Sequence, residues 1–263
     1  MINFGVQTFT IRKQQKKGFE QAYLPIFKMG MKEFELARMK FNLQNAEKIR
    51  KLTEKYGMKV VSIQVKPKYV FGNVEEIVAF CHDTGCKNVV ISMLPFSCIL
   101  GPEKKFYEFI ATLDKQYEIY RTHGITLAYH HHNWEYVTLS NGKMRMEELL
   151  ENTTNIRFVH DTYWTTKCGI VSAEQVQQFG DRLLGIHIRD LTLYKKGLKV
   201  LSKDAAVGEG VIDFNRVFEA AKKTACEYFV IEQKTDRPYE KLELSYQNCL
   251  KITSGMEENK DDE

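Results

Sequence analysis

YFVIEQ, residues 228–233, opens with four aromatic or β-branched residues and ends on a carboxylate and an amide. A run this continuously apolar suits a parallel strand covered on both faces, whereas a half-exposed strand would alternate. The layout recurs in NVVIS (88–92), NIRFVHD (155–161) and LLGIHIRD (183–190). Eight strands are expected in all, over residues 2–9, 33–36, 59–65, 88–92, 126–132, 156–161, 183–188 and 228–232. Between them lie charged stretches with apolar residues three and four apart, as at 43–56 and 102–122, closed by Gly57 and Gly124. Long helical crossovers at roughly thirty-residue intervals make the sheet parallel.

Two features favour a closed sheet over an open, doubly wound one. No Gly-rich phosphate loop follows the first strand, which runs GVQTFTIRK (5–13). Polar residues also stand at the C-terminal ends of several strands, where barrel enzymes gather their chemistry. The expectation is an α/β fold: a single TIM (β/α)8 barrel over residues 1–252, then an acidic, disordered tail at 253–263. The chain has 263 residues, the length one such barrel needs.

Net charge is +4, but residues 257–263 contribute −4 and leave +8 on the rest. The Lys and Arg residues are spread along the chain, which gives no concentrated surface for nucleic acid. The six cysteines form no CxxC pair and read as reduced, favouring the cytoplasm. No apolar run approaches a membrane span, and the N-terminus shows no signal-peptide layout.

Three late strands end in metal-competent side chains: Asp161, His187 and Glu232. Carboxylates with imidazole and no thiolate suit Mn²⁺, Mg²⁺, Fe²⁺, Co²⁺ or Zn²⁺. A fourth ligand is expected from ITLAYHHHNWEY (125–136), where alternation puts His130 and His132 on one face and His131 on the other. His130, His132 and Glu135 all qualify. His160 should face the helices, as a structural residue; His82 and His123 fall in helical stretches.

YHHHNWEY (129–136) resembles the Y-H-N-H-x-x-E-[FY] segment of the sugar phosphate isomerase/epimerase family, with its xylose-isomerase-like barrel. DTYW (161–164) followed by Gly169, HIRD (187–190), VGEGVIDF (207–214) and YFVIEQ continue the resemblance in order. GVQTFTIR, EFEL and VVSIQV resemble the first three strands, so the likeness spans roughly residues 3 to 250. It implies one divalent metal, Mn²⁺ foremost, held by His130 (where many relatives have Glu), Asp161, His187 and Glu232. Lys234 stands where relatives commonly have Asp, and Arg189 where they have Lys.

The implied chemistry is proton transfer beside a carbonyl through an enediolate, as a sugar, keto-sugar or cyclitol isomerase or epimerase. A lyase, a dehydratase or a keto-glycoside-cleaving enzyme shares the first step. Glu232, His132 and Glu135 are the candidate proton carriers. Trp164, Arg189, Glu209 and Lys66 are the candidate substrate contacts, with Arg12 also placed to hold an anionic group. The partner expected is a small sugar-like molecule, with no nucleic acid or membrane, in a possible homodimer. A nuclease on a related barrel would have a His ligand where Trp164 stands. A non-catalytic sugar-binding barrel sits poorly with an intact Asp161, His187 and Glu232 set.

Overall fold

The computed structural model of the chain describes residues 2–258. Eight parallel strands close into a barrel: β1 (Phe4–Gln7), β2 (Glu33–Leu36), β3 (Lys59–Val65), β4 (Asn88–Ile91), β5 (Thr126–His130), β6 (Arg157–Asp161), β7 (Leu183–Ile188) and β10 (Tyr228–Ile231). The order around it is β1-β10-β7-β6-β5-β4-β3-β2. Every expected strand is present, shortened by a residue or two at some ends.

Around the barrel run α1 (Arg12–Gln15), α2 (Phe19–Lys28), α3 (Leu43–Tyr56), α4 (Pro67–Gly72), α5 (Val74–Thr84), α6 (Phe96–Leu100) and α7 (Glu103–Arg121). Then come α8 (Arg145–Glu151), α9 (Thr162–Lys167), α10 (Ser172–Phe179), α11 (Phe214–Ala221) and α12 (Pro238–Glu258). Gly57 ends α3 at φ 68°, a left-handed conformation that glycine adopts without strain. An antiparallel hairpin, β8 (Asp190–Lys196) with β9 (Lys199–Ala205), rises between β7 and α11.

The main core lies between the barrel's outer face and the helices, with Tyr23, Phe34, Phe80, Phe106, Phe158 and Phe218 fully buried. Burying each such ring contributes about 1.5–3 kcal/mol. A separate apolar cluster contains Val90, Ala128, Val159 and Val230, one from each of four strands. Strand residues two apart share a face. Moving two positions along β5, β6 and β10 from that cluster therefore reaches His130, Asp161 and Glu232. The barrel interior is apolar below and polar at its C-terminal mouth.

The expected disorder from residue 253 does not begin there. α12 runs through Glu258, because Thr253 and Met256 are buried and the Thr253 hydroxyl donates to the Cys249 carbonyl at 3.0 Å. Residues 259–263 of the expected tail lie outside the described residues. All six cysteines are free thiols. No described helix is long and apolar enough to cross a membrane.

Candidate metal centre and its cavity

His130, Asp161, His187 and Glu232 converge at the barrel mouth, each offering a ligand atom within 4.8 Å of the others. All four are buried. His130 Nε2 lies 3.5 Å from Asp161 Oδ2, and His187 Nδ1 lies 2.9 Å from Glu232 Oε2 and 4.0 Å from Asp161 Oδ2. Both ring nitrogens of His130 are buried without a hydrogen-bond partner. Buried polar atoms left unpaired are costly, so a cation here would satisfy donors that the protein does not. Two imidazoles and two carboxylates fit a divalent ion of borderline hardness. Among the three residues open as the fourth ligand, His130 is the one that joins the cluster.

Glu35, on β2, is the member the sequence reading missed. It is fully buried, with Oε1 2.6 Å from His187 Nε2. Its other oxygen accepts from the Ser62 hydroxyl at 2.5 Å and the Tyr228 hydroxyl at 3.0 Å. Glu35 therefore occupies one ring nitrogen of His187 and leaves Nδ1 toward the cluster. Burial pushes the Glu35 carboxyl up, but His187 outweighs it and the net shift is down. Without a metal, His187 pairs with Glu35 and Glu232, and against the effect of burial its imidazole is pushed up to about 10.

Arg189 supplies a fixed positive charge. Its Nη1 is 3.1 Å from Asp161 Oδ2 and 3.4 Å from Glu232 Oε1, and its Nη2 is 3.0 Å from Asp204 Oδ1 on the hairpin. Burial raises the Glu232 carboxyl, yet Arg189 and His187 overcome it and hold the group down at about 2. Asp161 also lies well below the ordinary carboxylate range, burial again outweighed by Arg189 and His130. Arg189, expected as a substrate contact, is thus mainly committed to carboxylates, although it lines the cavity.

His131 and His160 face away from the cluster, as alternation requires, and form a buried chain. The Asp161 N–H donates to His131 Nε2 at 3.1 Å; His131 Nε2 is 3.3 Å from His160 Nδ1, and His160 Nε2 is 2.6 Å from Ser172 Oγ. One proton assignment satisfies all three contacts: both rings neutral, His160 donating from Nδ1 and accepting from Ser172. Burial holds His160 at about 3 and His131 well below its ordinary value, the latter with help from His160.

Glu135 does not point at the cluster. Its carboxylate accepts from the Tyr129 hydroxyl and, at 2.7 Å, from the His132 N–H, while burial raises its pKa. It belongs to the turn that presents His132 and stands outside the four-residue cluster. His132 does line the cavity, with its Nδ1 buried and unpartnered. Burial, then the neighbouring His130, hold this ring down at about 3, so it is neutral.

His130 and Glu232 of the cluster open onto a cavity of about 1590 Å³. Trp164, Lys66 and Glu209 line it. Trp164 follows from Asp161, whose Oδ1 accepts the Trp164 N–H at 3.0 Å and so starts α9. Its ring lies 5.4 Å from that of His132. Glu209 sits in an exposed loop, 3.4 Å from Lys241 Nζ. That loop is shaped by Asp190, which accepts the N–H groups of Gly208, Gly210 and Ile212 at 3.0, 2.9 and 3.2 Å. A side chain at Gly210 would collide with that carboxylate.

Comparison with known proteins agrees with this architecture. The chain belongs to the xylose isomerase-like TIM barrel family, whose model matches residues 26–251. No curated protein matches it in sequence. Among solved structures it is similar to a sugar phosphate isomerase/epimerase from Parabacteroides distasonis (TM-score 0.76, 17% identity, 93% of this chain and 92% of that one). It is also similar to the probable 3-DHS dehydratase of Bacillus anthracis (0.69, 10%, 94% and 98%). A third similar structure is an IOLI protein with a bound zinc atom (0.65, 14%, 97% and 99%).

Proposed function

We propose that the chain is a divalent-metal-dependent isomerase or epimerase of a sugar, keto-sugar or cyclitol. The observation that carries this reading is the buried His130, Asp161, His187 and Glu232 set, which meets a roomy cavity through His130 and Glu232. These four residues would hold the ion, with Mn²⁺ the first candidate and Mg²⁺, Co²⁺, Fe²⁺ or Zn²⁺ compatible with the same donors. A divalent ion in such a site supplies Lewis-acid polarisation of a carbonyl and its neighbouring hydroxyl.

The protein's own groups then handle the proton. Glu232 is kept ionised by Arg189 and His187, ready to accept the proton from the carbon beside the carbonyl. His132, neutral and turned toward the cavity by the Glu135 contact, serves the exchange from its own side. Delivery of a different proton to the same carbon from the opposite face epimerises; return of the proton to the former carbonyl carbon, with the hydroxyl proton passing from one oxygen to the other, isomerises. Trp164 offers a flat face to a sugar ring, while Lys66 and Glu209 stand where hydroxyl or charged substituents would pass. Similarity to a dehydratase structure supports a second reading, in which the same deprotonation expels a β-hydroxyl or glycosidic oxygen.

Solvent deuterium incorporation into ketoses, keto-glycosides and cyclitols, with and without Mn²⁺, tests proton transfer. NMR of the products separates epimer, isomer and eliminated species. Absence of metal-dependent exchange across the panel would sink the reading. Stoichiometric metal retained in both Glu232→Gln and His187→Ala would refute the ligand assignment.

A further inference from the structure

The cavity wall opposite the α9 side is cationic. Eleven Lys and Arg residues line the whole cavity against five Asp and Glu. Two of the cations are held in place by the fold. Arg12 lies over the Phe9 ring, its guanidinium carbon 3.9 Å from the centroid, and Nη1 donates to the Phe9 carbonyl at 2.8 Å. Arg38 approaches the same ring at 5.1 Å. Neither has an ion-pair partner among the described residues, whereas Arg189 contacts three carboxylates.

Arg38 is also the one described non-glycine residue in the left-handed region, at φ 60°. The buried surroundings impose that conformation. Thr8 Oγ1 accepts the Ala37 N–H at 2.7 Å and donates to the Ala37 carbonyl at 3.2 Å. Gln15 Nε2 reaches the same carbonyl at 3.2 Å, and the Tyr23 hydroxyl fixes Gln15 at 2.6 Å. The peptide before Arg38 is thus clamped, and the strain persists because it is over-determined. The fold brings two like charges to one ring, and among the described residues no carboxylate forms an ion pair with either, although Arg12 also feels the more distant Glu232 and Asp204. Burial and then the Arg38 charge hold the Arg12 guanidinium below its ordinary value. This wall abuts the metal centre, since the Gln233 N–H, next to Glu232, donates to Thr10 Oγ1 at 3.0 Å.

We propose that the molecule entering the cavity carries an anionic group, a carboxylate or a phosphate, and that Arg12 and Arg38 about the Phe9 ring are the clamp that holds it. The inference rests on the reading of the cavity as a sugar site and names its substrate class. Guanidinium groups suit both anions because their planar N–H pairs match carboxylate and phosphate oxygens.

Equilibrium binding to the metal-loaded protein tests the clamp independently of turnover. The probes are D-fructose, D-fructuronate and D-fructose 6-phosphate, with the wild type, Arg12→Gln and Arg38→Gly. Glycine adopts φ 60° freely, so Arg38→Gly should melt no lower than wild type and its effect cannot be misfolding. At least one anionic ketose should bind ten-fold or more tightly than fructose, and each variant should remove most of that advantage. Which of the two is favoured identifies the anion. No preference for either anionic ketose, or a preference that survives both substitutions, overturns the clamp. Solvent deuterium exchange on bound probes is read separately: an intact preference without exchange on any ketose counts against the proposed proton transfer and leaves the clamp standing.

Discussion

The two halves of the barrel mouth differ in kind. The late half, formed by β5, β6, β7 and β10, ends in His130, Asp161, His187 and Glu232, all buried and backed by further buried polar groups. The early half, formed by β1 to β4, presents Gln7, Gln64, Lys66 and the Arg12–Arg38 pair to the cavity. Late-half side chains are fixed to within contact distance of one another, whereas Lys66 and Arg38 are exposed. On the proposed function, the late half would carry the chemistry and the early half would select what arrives. Glu35 is the exception: it belongs to an early strand and works for the late half.

The sharpest break of that comparison comes from the proposed metal ligands. Asp161→Asn removes a charge that Arg189 and His130 are arranged around. It should abolish stoichiometric metal by elemental analysis and lower exchange about 10³-fold, as loss of several kcal/mol of charge stabilisation implies. Full metal and activity in this variant would mean that the late half is not the centre of the chemistry.

Acid should also strike the late half first. His160 is buried and held at about 3, below the ordinary unfolded value. The unfolded chain therefore takes up the proton first. The neutral ring's contribution is complete above pH 6.5 and is lost as pH falls from there toward 3. Between pH 6.5 and 4.5 that amounts to about 2–3 kcal/mol for this ring. In chelator-treated protein, His160→Gln should melt lower at pH 7 but lose less than wild type on transfer to pH 4.5. His187 titrates alike in both proteins and cancels in the difference. Equal acid losses would show that His160 is not the sensitive group.

Glu35→Gln probes the exception. It keeps shape but removes the charge that occupies His187 Nε2. Loss of such an outer partner typically costs 10–100-fold in metal affinity. Metal titration should show that loss, and the metal-free variant should also melt lower because the buried His187–Glu35 pair is broken. An unchanged affinity would return Glu35 to the early half as a packing residue.

Strands and the four residues of the cluster were legible in the sequence for the same reason: an apolar run ending in a polar residue marks both a buried strand and the place where it leaves the core. Glu35 was not, because EFEL offers two glutamates on one face. Period two does not say that Glu33 pairs with Lys59 at the surface while Glu35 lies inside. The hairpin left a signal that went unread, since DLTLYKKGLKVLSKDA alternates about a Gly197 turn at φ 61°. Glu135 had the right type and spacing for a ligand, but the Tyr129 hydroxyl and the His132 N–H take its two oxygens and it stands outside the cluster. α12 extends to Glu258 and buries Thr253 and Met256, contacts that a net charge over the tail does not register.

The smallest expected effect belongs to Lys66, and it tests the early half where that half is weakest. Lys66 is exposed at the start of α4 and has no ion-pair partner among the described residues. Water competes for its charge at every step, so a contact to substrate is worth little and is screened by salt. Lys66→Gln should raise KM about two- to five-fold at low ionic strength, leave kcat and metal content in place, and lose its effect in high salt. Steady-state kinetics at two salt concentrations read this directly. A drop in kcat of the size expected for Asp161→Asn would erase the division between the halves, because an exposed lysine at the end of β3, two strands round the barrel from His130 on β5, would then be acting on the reacting atoms.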